Sequence, residues 1–230
     1  PVPLDRGAPW WSFSFDTCWR RPQTGQSAND LPDHPVTHIA YADAAAYAAW
    51  ADKELPTEAQ WELAAPIKSA ARGGLDGREY AWGDELMPDA RLMANIWHGD
   101  FPWRNISPDG YATTSPVRSY PANAFGIYDL IGNVWEWTRD WFTDPAVLKH
   151  PFCCVAYDPR VEDETLSYDP FQPESKIGRK VLKGGSHLCA PDYCQRYRPA
   201  ARYPQPIDTS TSHVGFRCVR RIGGGAGPAI

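Results

Sequence analysis

The chain has 230 residues, enough for one sizeable domain with its own core, and a formal net charge of −5 with acids and bases interspersed. No basic block or interleaving of aromatic and basic residues marks a nucleic-acid surface, and no apolar run approaches a membrane span. Eleven tryptophans, 23 prolines and 18 glycines predict a fold dominated by turns and loops, whose backbone groups need partners other than strand ladders. The sequence begins at Pro1 without a methionine or signal-like segment, so an N-terminal piece is expected to be missing and targeting stays open.

In chain order, residues 1–34 read as loop with aromatic anchors. HPVTHIAYA (34–42) alternates and predicts a short strand. DAAAYAAWADK (43–53) predicts a helix with Asp43 as N-cap, an alanine-rich interior, and Tyr47 and Trp50 on one face. LPTEAQWELAA (55–65) predicts a second helix, with a capping box between Thr57 and Gln60 and a stop at Pro66. Residues 72–125 are rich in Gly, Pro and Asp and read as loop. FGIYDLIGNVWEWTRDWF (125–142) is dense in aromatics, and 143–176 is an excursion with little periodicity. RKVLKGG (179–185) and HVGFRCVRR (213–221) predict strands, and GGGAGPAI ends the chain as a tail. Helices and strands do not alternate as in βαβ units. The expected fold is one irregular α+β domain, low in regular structure, over 1–221, with a flexible tail at 222–230.

Six cysteines are too few for a disulfide scaffold. Cys189 and Cys194 lie in GGSHLCAPDYCQRYRPAAR (184–202), among tyrosines and arginines, a setting that favours thiolate over a buried inert thiol. In a strand the two would face opposite ways, and in a helix they would lie roughly 140° apart. Ala190-Pro191-Asp192-Tyr193 suits a β-turn, with proline second and aspartate third, and such a turn brings the sulfurs together. Structural zinc wants four ligands, commonly in closely spaced pairs, and no second pair is present. Two thiolates suit Cu(I). On spacing alone a disulfide across the turn ranks ahead of a metal.

These residues carry a resemblance. KGGSHLCAPDYCQRYRPAAR and SHVGFRC resemble the active-site segment of formylglycine-generating enzymes, the sulfatase-modifying family. APWW (8–11), DHPVTHI (33–39), AAYAAWADKELPTEAQWELA (45–64), ANIWHGDFP (94–102), SPDGYATTSPVRSYPANAFGIYDLIGNVWEWT (107–138) and GGSHLC (184–189) follow in the family's order. LPTEAQWE and GNVWEW are shared with the wider superfamily; the paired cysteines are more selective. The resemblance implies the family's variant of the C-type-lectin-like fold. It implies copper-dependent oxidation, by molecular oxygen, of the cysteine in a Cys-x-Pro-x-Arg motif of an unfolded sulfatase to Cα-formylglycine, with an external thiol reductant. Cys189 and Cys194 would bind Cu(I), and the substrate cysteine would join them. Ser186 matches a position near the oxygen pocket, with Trp135 and Tyr193 beside it; for Trp135 a plain core role weighs equally.

The family also carries structural calcium. One matching set is Asn95 and Asp109 side chains with the Ile96 and Tyr111 carbonyls. A second is Asp129 and Glu136 side chains with the Gly132 and Val134 carbonyls. Mixed carboxylate and carbonyl oxygens suit Ca2+, although Asp-Gly at 109–110 also suits an ordinary turn. Asp129 stands where the family more often has asparagine.

Several positions depart from the family. The N-terminal strand region, which in relatives supplies part of the substrate groove, is absent before Pro1. Pro199, Ala48 and Ala64 or Ala65 fall at or near cysteine positions of some eukaryotic relatives, which leaves Cys218 without its usual partner and leans towards a reducing, cytoplasmic compartment. His187 replaces a more usual tyrosine; a surface histidine is expected there, ahead of a copper ligand or proton carrier. Cys18, Cys153 and Cys154 have no assigned role. The main rival reading is a non-catalytic, lectin-like module binding peptide or ligand, whose known paralogues lack one or both active-site cysteines. An iron-dependent sulfoxide synthase would need three histidines together, and the six here lack such spacing.

Overall fold

The computed structural model describes residues 11–65, 79–144 and 161–220. Among these, regular structure is confined to two short helices and one sheet of four strands: α1 (Tyr41–Trp50), α2 (Glu58–Ala64), β1 (Trp135–Trp141), β2 (Arg179–Lys183), β3 (Tyr203–Pro206) and β4 (Val214–Gly215), with single 3-10 turns between. The mixed sheet with few helices agrees with the expected α+β class.

Helix α1 starts two residues before the expected point. Asp43 is therefore not the N-cap; it sits in the first turn, where its carboxylate accepts the Ala40 amide at 2.9 Å. Ala44 and Ala48 face the core, while Tyr47 and Trp50 stack on the outer face with ring centroids 5.5 Å apart. In α2 the expected capping box is formed in both directions: Gln60 N donates to Thr57 Oγ1 at 3.1 Å and Thr57 N to Gln60 Oε1 at 2.9 Å. The stop expected at Pro66 lies outside the described residues, as do Cys153, Cys154 and the 222–230 tail.

The strand expected over 34–42 is not formed. His38 takes a positive φ of 54°, which breaks an extended run, and the neighbouring amides bond to loop carbonyls, His38 N to Thr211 O and Tyr41 N to Ile207 O. The alternation is real as burial, since Thr37 and Ile39 point inward, but it belongs to an extended loop without a ladder.

The sheet order is β3-β2-β1-β4, antiparallel except for the parallel pair β1–β4. Glu136 opposes Lys183 and Trp137 opposes Leu182 across β1–β2, with an irregularity before Trp141. Strand β1 arises within the aromatic run, and its first four residues are buried, so it is a central strand covered on both faces. The strand expected at 213–221 is reduced to two residues of β4, which pair Trp135 with Val214, plus an isolated bridge from Val219 to Glu54. The edge strand β3 was not expected from YPQP, because its two prolines cannot donate to a ladder.

On the two faces of the sheet, Trp137, Val181, Leu182 and Val214 are fully buried, as is Trp61 of α2. Lys183, with no exposed surface, pairs with Glu62 at 2.8 Å and Glu58 at 3.5 Å, and Glu58 in turn takes a bidentate pair from Arg202. This network fastens α2 to β2.

Candidate active site

After β2 the chain makes a passage only glycine allows. Gly185 has φ 73°, and a Cβ there would lie 2.8 Å from the Arg196 carbonyl oxygen and 2.9 Å from Tyr197 Cα. The segment thus runs tight beneath residues 196–197, and Ser186, entirely buried, starts the next turn: Cys189 N donates to Ser186 O at 2.9 Å and Leu188 N to Ser186 Oγ at 3.2 Å.

The expected turn follows. Tyr193 N donates to Ala190 O at 3.2 Å, and the Cys194 and Gln195 amides converge on the same oxygen. Across it the Cys189 and Cys194 thiols come within hydrogen-bond reach of each other, Cys189 buried and Cys194 half-open. Both are free thiols, so the disulfide that spacing alone favoured is not formed. The hydrogen bond from Cys189 pulls Cys194 down to about 6, helped by the Arg196 and Ala190 amides against the cost of burial. The same bond, with burial, pushes Cys189 well above the usual thiol range. One proton is therefore shared by a thiol–thiolate pair near neutral pH. Two soft sulfur donors at this separation, one shielded and one accessible, fit Cu(I).

Arg196 is the cation acting on both sulfurs. It lies over the Tyr203 ring at 4.9 Å, and Tyr203 packs on Trp135 at 5.6 Å. Trp135 is 3% exposed at the start of β1, so the sulfur turn, Arg196, Tyr203 and Trp135 form one packed group. Tyr193, by contrast, is 56% exposed and stacks on Phe101 at 4.5 Å. Sequence reasoning missed Arg196 and Phe101; the run QRYR was the only pointer to the first.

His187 is buried rather than on the surface. Its Nδ1 meets the Asn133 carbonyl at 2.9 Å, and burial holds it neutral, with its pKa down at about 4. Cys18 and Cys218 are also free thiols.

The two oxygen-rich sets differ. In the first, buried Asn95 donates to Thr113 O at 2.8 Å, and Asp109 accepts the Tyr111 amide and the Tyr120 hydroxyl. Asn95 Nδ2 reaches only two residues beyond Tyr111, so the loop 109–113 and Asn95 share one polar locus whose donor types suit calcium. In the second, Gly132 (φ 73°) passes against the Asn95 carbonyl, and Glu136 already accepts three donors: Trp61 Nε1 at 2.7 Å, Arg217 Nε at 2.6 Å and Arg217 Nη2 at 2.7 Å. Arg217 also donates to the Asp129 carbonyl, and Asp129 accepts the Arg118 amide at 2.7 Å. Burial pushes the Asp129 carboxyl up, and Glu136 adds to this. These groups line a cleft of about 380 Å³ with Val117, Tyr128 and Phe216. A calcium ion there would share the Glu136 carboxylate with the Arg217 guanidinium, which also holds the Asp129 carbonyl. Among the described residues no three His, Cys, Asp or Glu side chains converge on one point.

The site is thus a free thiol pair on a tight turn behind a double glycine, mounted on a small mixed sheet. Residues 5–222 match the sulfatase-modifying factor enzyme 1-like domain, and the chain belongs to this family. It is 48% identical over 224 residues, 95% of its length, to the formylglycine-generating enzyme of Mycobacterium tuberculosis, and 46% identical over 92% of its length to that of Streptomyces coelicolor. The chain spans 68% and 61% of those two proteins, about two thirds of their length. Among solved structures it resembles PvdO from Pseudomonas aeruginosa, with a TM-score of 0.55 and 25% identity, over 80% of this chain and 60% of that one.

Proposed function

We propose that the chain carries the formylglycine-generating activity of its relatives: oxidation of a sulfatase cysteine in a Cys-x-Pro-x-Arg motif to Cα-formylglycine, with molecular oxygen, copper and an external thiol. The observation that carries this is the free Cys189–Cys194 pair, brought together across one turn beside Arg196 with Cys194 half-open. It also separates the reading from a binding module on the same scaffold, which has no use for a poised thiol–thiolate pair. The scaffold would be the C-type-lectin-like variant, a proposal supported by the sparse mixed sheet.

Cys189 and Cys194 would hold Cu(I) as thiolates, and the bound ion would supply a binding place for the substrate sulfur and a route for electrons to oxygen. The chain's own residues do the rest. Arg196 offsets the negative charge that builds up as thiolates gather. Ser186 holds the turn, its carbonyl accepting the Cys189 amide and its hydroxyl the Leu188 amide. Trp135 and Tyr203 close the inner side against water, and Tyr193 forms the outer wall. The balance is a four-electron reduction of oxygen: the substrate Cβ gives two electrons, its C–S bond breaks and sulfide leaves, water supplies the aldehyde oxygen, and an external thiol pair gives the other two as it becomes a disulfide. Asn95, Ile96, Asp109 and Tyr111 would hold structural Ca2+. Asp129, Gly132, Val134 and Glu136 would hold a second ion only in company with Arg217.

The test is direct. Protein loaded with Cu(I) is incubated with oxygen, a thiol and a Cys-x-Pro-x-Arg peptide, and mass spectrometry follows conversion of thiol to aldehyde. Conversion by the wild type and none by Cys189→Ser or Cys194→Ser is expected; no conversion by the wild type under these conditions would sink the proposal.

A further inference from the structure

The sulfur turn is gripped from outside by a loop ninety residues earlier in the chain, and the grip involves residues the proposed chemistry does not use. Residues 97–106 close on themselves: Ile106 N donates to His98 O at 2.7 Å, His98 N to Asn105 Oδ1 at 3.2 Å, and the Trp103 and Arg104 amides to Asp100 O at 2.8 Å. From this loop, Trp97 N donates to Cys189 O at 3.0 Å and Phe101 N to Asp192 Oδ2 at 3.1 Å. The Phe101 ring stacks on Tyr193 at 4.5 Å and 14°, and Trp97 packs edge-on against Phe101 at 5.1 Å. Three of the six residues from Cys189 to Cys194 are thus held by the loop: the first at its carbonyl, Asp192 at its carboxylate and Tyr193 at its ring.

We propose that Asp192 is a positioning residue: by accepting the Phe101 amide it latches the turn to the 97–106 loop and sets the separation of the Cys189 and Cys194 sulfurs. Without the latch, the middle of the turn keeps its own amides on Ala190 O, each at 3.2 Å, and Gln195 Nε2 on Pro191 O, while the loop holds it only at the Cys189 carbonyl and the Tyr193 ring. Such a turn samples wider arrangements, and every process that needs both sulfurs at once loses effective concentration. Only the metal part of this inference rests on the function proposed above; the spacing of the sulfurs does not.

The test compares wild type, Asp192→Ala and Asp192→Asn. Asparagine keeps an oxygen for the Phe101 amide while losing the charge, so it separates the hydrogen bond from electrostatics at the thiols. Two quantities are measured: the equilibrium constant for closing the Cys189–Cys194 disulfide against the glutathione couple in metal-free protein, and Cu(I) affinity by chelator competition. Loss of a hydrogen bond to a carboxylate predicts about tenfold lower values of both for Asp192→Ala, and values within about twofold of wild type for Asp192→Asn. Should Asp192→Ala fail to fold, Phe101→Leu keeps the amide and loses the ring stack, with about threefold lower values expected. Wild-type values in Asp192→Ala, or equal defects in the Ala and Asn variants, overturn the latch. A shift in the glutathione equilibrium with no Cu(I) binding by the wild type upholds the latch and removes the copper reading instead.

Discussion

Glu136 offers the sharpest quantitative test of the fold, because one buried carboxylate joins three parts of the molecule. It is 5% exposed; Oε2 accepts Trp61 Nε1 from α2 and Arg217 Nε from the segment after β4, and Oε1 accepts Arg217 Nη2. In Glu136→Gln the remaining oxygen still serves Trp61, but an amide NH2 confronts the guanidinium, and a cation with only 25% of its side chain exposed loses its counter-charge. Breaking one side of a buried pair costs about 3–5 kcal/mol; the retained Trp61 bond places this change at about 3 kcal/mol. Glu136→Ala strands the indole N–H as well and adds about 1 kcal/mol or more. For a chain of this size, about 3 kcal/mol lowers Tm by roughly 6–12 °C. Equilibrium urea unfolding, with the slope m unchanged between variants, measures it. Removing Arg217 in the same chain, as Glu136→Met with Arg217→Met, should recover much of the loss. A Glu136→Gln change below about 1 kcal/mol would falsify the ion-pair account. A deficit seen only with Ca2+ present and abolished by EDTA would instead make Glu136 a calcium ligand first.

Three further outcomes follow from the geometry. Iodoacetamide should modify Cys194 and spare Cys189 in metal-free protein, with a rate that rises with pH through about 6 and then levels; preferential labelling of Cys189 would contradict the assigned sharing of the proton. His213 is partly buried against Trp11, with His187 and His38 as neighbours, and desolvation takes its pKa down to about 3. Its folded pKa lies below the unfolded value, so the stability it gives is present above about pH 6.5 and falls away as pH drops towards 3; His213→Gln should flatten the dependence of the urea midpoint on pH between 7 and 5. Gly185→Ala should cost about 1–3 kcal/mol from its positive φ alone and also disturb the Cys189–Cys194 pair, since the new Cβ meets the Arg196 carbonyl; an undisturbed glutathione equilibrium for the pair would refute the tight passage.

Local chemistry was readable from the sequence where one or two residues decide a conformation. Thr57 and Gln60 start α2 as expected, and Pro191 with Asp192 makes the turn that joins the sulfurs. The resemblance added the family, which the relatives bear out. What stayed hidden depends on partners far along the chain. The alternation at 34–42 was burial without a ladder, because the amides of that segment find carbonyls at 207 and 211. Strand β3 carries two prolines and exists because β2 offers its edge. His187 looked like a surface residue; its burial follows from the Asn133 carbonyl, fifty-four positions away. The disulfide favoured by spacing fails for a different reason: spacing fixes whether two sulfurs can meet, and their redox state lies outside geometry.

The parallel pairing of β4 with β1 has a consequence for the order of assembly. Trp135 N is satisfied by His213 O, Glu54 pairs with Val219, and Gly215 leaves room for the Val36 carbonyl. Val36, Glu54 and Trp135 are therefore closed by a segment that a ribosome makes after all three. Cys189 and Cys194 leave the ribosome before that closure, when the sheet beneath the sulfur turn still lacks β4. For that interval the pair most useful to the finished protein is open to any oxidant or foreign thiol that the folded site would keep out.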